Sequence, residues 1–200
     1  MDDKRLILVI EDQHAVKELI FKRLIQEGYH AMWARHGGVG MKIMRQEIAK
    51  RFGAIILDQE MVEWDQQEPP QRVDPEAMDG DEFLKQCLAE KINLSPIILH
   101  TASADSFFRQ MHTELGIKPG DYTTRAGLPR TNLELKNEES GLHIFTVDKT
   151  SPHGLDRVIE ILDSLGLKPQ RRAEVLEKDV PHSAGGMNKK AQNRTGRPRG

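Results

Sequence analysis

The side chains best able to do chemistry sit just after the apolar runs of this sequence. Glu11 and Asp12 follow Leu6–Ile10. Asp58, with Gln59 and Glu60 behind it, follows Ala54–Leu57. Thr101 and Ala102 come after Pro96–Leu99, and Lys149 comes after Leu142–Val147. If those runs are neighbouring strands of one parallel sheet, their carboxyl ends bring Glu11, Asp12 and Asp58 together with a hydroxyl and an ammonium. Ionised carboxylates at close range repel, and a divalent cation relieves the repulsion. Ligation by oxygen alone suits a hard ion, Mg2+ above all where a phosphate also binds. Thr101 and Lys149 would then donate to phosphoryl oxygens. The set fits phosphoryl transfer onto one of the carboxylates.

The elements that must position these groups follow from the hydrophobic pattern. Leu6–Ile10 is too continuous for a one-sided strand and suits a central strand covered on both faces. Val16, Leu19, Ile20 and Leu24 recur at helical spacing, and Gly28 stops that helix. Ala31–Trp33 is a second strand. Gly37-Gly38 precede a helix carrying Met41, Met44 and Ile48, and Ala54–Leu57 is a third strand. Asp79 and Glu82 have the spacing of a capping box, ahead of a helix that buries Phe83, Leu84, Cys87 and Leu88. Pro96–Leu99 is the fourth strand, followed by a helix using Phe107, Phe108, Met111 and Leu115. Leu142–Val147 is the fifth. Ser151-Pro152 offers an N-cap with proline behind it, and Leu155, Val158, Ile159, Leu162 and Leu165 continue at helical spacing to Gly166. The alternation predicts a doubly wound α/β domain: a five-stranded parallel sheet, flavodoxin-like with strand order 2-1-3-4-5, and helices on both faces. Two stretches, 61–78 and 116–141, lose periodicity and read as long irregular insertions.

The chain has 200 residues, 38% hydrophobic and 30% charged, enough for one domain with an appendage. No apolar run approaches a membrane span, and the first residues lead into no secretory-signal pattern, so a cytoplasmic protein is expected. The single cysteine, Cys87, excludes an intramolecular disulfide and a Cys-cluster metal site. The net charge of -2 conceals a split: residues 170–200 hold eight Lys/Arg against three Asp/Glu, leaving 21 basic and 28 acidic residues in 1–169. The predicted division is a folded domain over 1–169 and a basic tail over 170–200. A short helical extension is expected at Arg171–Lys178. Residues 181–200 are too poor in large apolar side chains to fold alone.

Five segments together resemble the response-regulator receiver domains of two-component signalling: Leu8-Val9-Ile10-Glu11-Asp12, Ile55-Ile56-Leu57-Asp58, Met78 to Leu84, Pro96 to Ala102, and Val147-Asp148-Lys149. They stand in the family's order and span roughly residues 4–166. The resemblance implies that Asp58 is the phosphoacceptor, that Glu11 and Asp12 position Mg2+, and that the backbone carbonyl of Glu60 completes the protein ligands. It implies that Thr101 senses the phosphoryl group, that Lys149 pairs with it, and that small Ala102 leaves it room. The phosphodonor would be a sensor histidine kinase or a histidine phosphotransfer protein, and output would run by contact with a downstream protein. The chain departs from the family in its two insertions and in the extra carboxylate of Glu60. Thr146 also stands three residues before Lys149 where an aromatic is usual, with Phe145 one place out, and Thr150 replaces the usual proline.

Plainer readings compete. Asp12 could be only the N-cap of the first helix, and Asp58 an ordinary acid at a strand end. Thr101 and Lys149 gain weight only from their company. Cys87 suits packing, and the acids around Trp64 suit a solvated loop. No histidines pair at helical metal-ligand spacing, and His100, beside Thr101, suits a structural role. The basic tail suits solubilisation, with nucleic acid, an anionic membrane or an acidic partner as other occupants. Two functional rivals stand beside the signalling reading. One is a receiver fold used as a phosphorylation-independent interaction module. The other is a phosphatase of the haloacid dehalogenase type, which would need an Asp where this chain has Glu60 and an acidic pair after the nucleophile, not before it.

Overall fold

A computed structural model describes residues 6–61, 73–102, 122–124, 133–137 and 141–167. The chain runs β1 (Leu6–Ile10), α1 (His14–Gln26), β2 (His30–Ala34), α2 (Gly37–Met44), a 3-10 turn (Glu47–Arg51), β3 (Phe52–Leu57), α3 (Gly80–Ala89) and β4 (Ile97–Thr101). It continues with β5 (Tyr122–Thr124), β6 (Leu133–Asn137), β7 (Leu142–Asp148) and α4 (Gly154–Ser164). The strands form one sheet in the order β2-β1-β3-β4-β7-β6-β5. From β2 to β7 every pairing is parallel, which reproduces the expected 2-1-3-4-5 order of a flavodoxin-like doubly wound fold.

The continuous apolar strands are explained by burial on both faces. Alternate residues of each strand point to opposite sides, so each strand feeds two cores. Leu8, Ile10, Ile55, Leu57, Ile97, Leu99 and Ile144 pack with Met41 and Met44 of α2 and with Phe83, Leu84 and Cys87 of α3. Ile7, Val9, Ala54, Ile56, Ile98 and Val147 pack on the other side with Ile20 and Leu24 of α1 and with Val158, Ile161 and Leu162 of α4.

The count of five strands is corrected to seven. Part of the stretch expected to be irregular, 116–141, supplies β5 and β6, which extend the sheet antiparallel beyond β7. Leu135 is fully buried in the core, between intermediate Glu134 and exposed Lys136, so β6 has the alternation of a strand with one face covered. Gly141, at φ +68, makes the turn into β7. The helix boundaries also differ. Leu19 is 59% exposed, and α1 buries only Ile20 and Leu24 fully. Ile48 lies in the 3-10 turn outside α2. The N-cap of α4 is His153, not Ser151, because residues 151–154 form a turn in which Gly154 N–H donates to the Ser151 carbonyl. The capping box of Asp79 and Glu82 is present at α3. The helix expected at 107–115, the acids around Trp64 and the tail lie outside the described residues. Among the described residues no helix is long and apolar enough to cross a membrane.

Candidate functional site

Three backbone hydrogen bonds carry the parallel ladder one residue past the strands. Glu11 N–H donates to Ala34 O (3.1 Å), Asp58 N–H to Ile10 O (2.9 Å), and Lys149 N–H to Thr101 O (3.1 Å). Glu11, Asp58, Thr101 and Lys149 therefore emerge at one edge of the sheet. Carboxylate oxygens of Glu11, Asp12 and Asp58 lie within 4.8 Å of one another. Glu11 and Asp58 are buried, whereas Asp12 is exposed. The capping reading of Asp12 is set aside: α1 begins at His14 and its N-cap is Gln13, so the Asp12 carboxylate belongs to the cluster.

Each oxygen of Asp58 is engaged. Oδ1 accepts the Gln59 N–H at 2.8 Å, and Oδ2 accepts Lys149 Nζ at 2.5 Å. Thr101, also buried, donates through Oγ1 to Gln59 Oε1 at 3.4 Å. Gln59 was not expected to take part: it is buried and joins Thr101 to the Asp58 loop, and nothing in a lone Gln after an Asp signals that. Glu60 is exposed and stands outside the group of three carboxylates.

The N-terminus of α3 holds this loop from behind. Gly80 N–H donates to Gln59 O (2.9 Å), and the Met61 N–H donates to Asp79 Oδ1 (2.7 Å). A Cβ at position 80 would lie 2.3 Å from the Asp58 carbonyl oxygen, so only glycine lets the helix approach this closely. The Asp79-Gly80 pair is thus part of the support of the site as well as a helix start.

The electrostatics match the crowding. Burial, reinforced by Asp58, pushes the Glu11 carboxyl up to about 8, against the pull of Lys149. Burial also raises Asp58, with Lys149 opposing. Lys149 is itself held above its ordinary value: burial pulls it down, but its hydrogen bond and attraction to Asp58 outweigh that. Burial and the nearby Lys149 push His100 down to about 4, so it is neutral at pH 7. Three carboxylates thus share one ammonium. Glu11 Oε2 is buried and accepts no hydrogen bond from any described residue. A buried carboxylate that keeps one orphaned oxygen and clusters with two further carboxylates is a donor set that a hard divalent cation fits.

No family model matches the chain, and no curated protein matches it. Solved structures that are similar to it include the receiver domain of a Francisella response regulator, 17% identical with a TM-score of 0.49, over 80% of this chain and 94% of that one. A CheY-like response regulator receiver domain protein from Methanospirillum hungatei is 17% identical with a TM-score of 0.46, over 82% and 98%. A response regulator from Thermotoga maritima in complex with Mg2+ and BeF is 19% identical with a TM-score of 0.45, over 80% and 97%.

Proposed function

We propose that this chain is a receiver-type phosphoacceptor in a phosphorelay, with Asp58 as the acceptor. An Asp58 carboxylate oxygen attacks the phosphorus of a phosphohistidine on a histidine kinase or phosphotransfer protein. The P–N bond breaks, the imidazole leaves with a proton, and an acyl phosphate forms on Asp58. Lys149 passes from Asp58 to a phosphoryl oxygen, Thr101 exchanges Gln59 for another, and Ala102 leaves them room. Glu11, Asp12, Asp58 and the Glu60 carbonyl would hold Mg2+, which when bound neutralises charge on the phosphoryl oxygens. The observation that carries the reading is the gathering of Glu11, Asp12 and Asp58 within 4.8 Å with Lys149 on Asp58. The protein then acts in the cytoplasm as a switch without steady turnover of a substrate, and its output is a change in contact with a downstream protein.

The test is labelling by a small phosphodonor such as acetyl phosphate with Mg2+. Wild type gains an acyl phosphate labile to acid and to base; Asp58→Asn gains none. Equal labelling of the variant would sink the assignment.

A second reading, a constitutive interaction module of the same fold, is favoured by one observation. The edge of β7, next to buried Thr146, is occupied by β6. Equal capture of a partner by wild type and Asp58→Asn would support it over the phosphoacceptor.

A further inference from the structure

We propose that Trp33 is a positioning residue for the cation site, setting Glu11 through its backbone; the inference rests on the Mg2+ reading above. Glu11 has four polar groups to account for. Its N–H donates to Ala34 O, and its Oε1 accepts the Gln13 N–H at 3.1 Å. Its carbonyl oxygen accepts the indole Nε1–H of Trp33 at 2.8 Å. Only Oε2 is left over, and it is the orphan that a cation would take. Trp33 stands opposite Val9 in the pairing of β1 with β2, two residues before Glu11, and its indole reaches past the end of β1 to the first residue of the site loop.

The ring is itself held by α1. His14 meets it edge-on, with centroids 6.4 Å apart at 88°, and Lys17 Nζ lies 4.9 Å from its centroid. Both residues follow Asp12 by less than two helical turns. The loop from Glu11 to Gln13 is therefore gripped by one side chain that is anchored on the helix the loop leads into. Trp33 is 39% exposed and belongs to neither buried core cluster. An N–H donated to a ligand residue's backbone restricts where its carboxylate can go, and loss of such a partner weakens a metal site without touching a ligand.

The test uses Mg2+ itself, followed by calorimetry. Trp33→Phe keeps the ring under Lys17 and removes the donor. It should weaken Mg2+ binding roughly three- to tenfold, while the metal-free melting temperature stays within about 2 °C of wild type. In a Trp64→Phe background Trp33 is the sole tryptophan, and its emission should change on Mg2+ addition with the calorimetric midpoint. Unaltered affinity in Trp33→Phe, an apo melting temperature that falls in step with the affinity, or emission blind to Mg2+ would each overturn the role of Trp33. In those cases Asp58-dependent Mg2+ binding by wild type would leave the proposed function standing. Wild type that binds no Mg2+ through Asp58 would overturn both.

Discussion

Two groups of carboxylates in this molecule use the same residue types to opposite ends. Around α2, each acid has a cation of its own or a backbone donor. Asp74 accepts Arg35 Nη2 at 2.7 Å and the Glu76 N–H at 3.0 Å, Glu76 pairs with Lys42 at 2.6 Å, and Glu90 takes Arg45 through both carboxylate oxygens. These partners hold their carboxyls below the usual range: the Glu76 N–H first for Asp74, Lys42 for Glu76, Arg45 for Glu90. At the strand ends, Glu11 and Asp58 are buried beside Asp12 with one lysine, and burial raises both. The first arrangement suits the apo protein as it stands. The second has one ammonium among three acids, and burial there favours the protonated carboxyls, a clustering of raised groups that marks a candidate site.

The largest effect that would sharpen this contrast comes from neither set of acids but from their support. Gly80→Ala places a methyl against the Asp58 carbonyl, and should destabilise the fold by about 2–3 kcal/mol and weaken Mg2+ binding with it. Chemical denaturation and calorimetry measure both; an unaltered midpoint would mean that α3 does not press on the loop.

Next, Glu11→Gln replaces a buried carboxyl that folding drives toward its protonated form with a neutral group of the same shape. It should raise metal-free stability by about 1–2 kcal/mol while weakening Mg2+ binding. A variant less stable than wild type in EDTA would break the comparison, because it would make the buried acid an asset.

The pH dependence of that same carboxyl reads the same burial. Its folded value of about 8 lies above the unfolded value of 4.5, so the folded state holds the proton more tightly. This contribution is fully present below about pH 4.5 and is lost as pH rises to about 8. In EDTA the melting temperature should drift down across that window from this group, and saturating Mg2+ should flatten the drift. His100 acts in the opposite sense: its depressed value favours the fold above about pH 6.5 and is lost toward pH 4. Melting curves of Glu11→Gln and His100→Gln separate the two. The smallest effect belongs to the surface pairs: Glu90→Gln should leave the melting temperature within about 2 °C at any salt concentration.

Much of this was legible in the residues. The five parallel strands and their order followed from apolar runs separated by helical periodicity, and the capping box at Asp79 followed from spacing alone. Glu11, Asp12, Asp58, Thr101 and Lys149 stood out because each lies at or just past the end of an apolar run, and parallel strands put such positions on one edge. The edge extension was not read, although Leu133-Glu134-Leu135-Lys136 alternates, because one short alternation among Gly and Pro carries little weight. The exposure of Leu19 was missed because helical spacing marks a face without saying how much of it is covered. Gln59 and Trp33 gave no signal, since their roles lie in contacts with residues distant in sequence or in what a neighbour leaves unsatisfied.

The sequence by itself determined the strand–helix alternation and the placing of acid, hydroxyl and ammonium at strand ends, because those depend on local periodicity and on chain direction within a parallel sheet. Only the tertiary structure decided which oxygens meet. Lys149 on Asp58, the close approach of Gly80 and the indole on the Glu11 carbonyl are contacts between separate elements, and the orphaned Glu11 Oε2 is what they leave over. Such contacts arise when separate elements pack at fixed distance, and no window along the chain contains both partners.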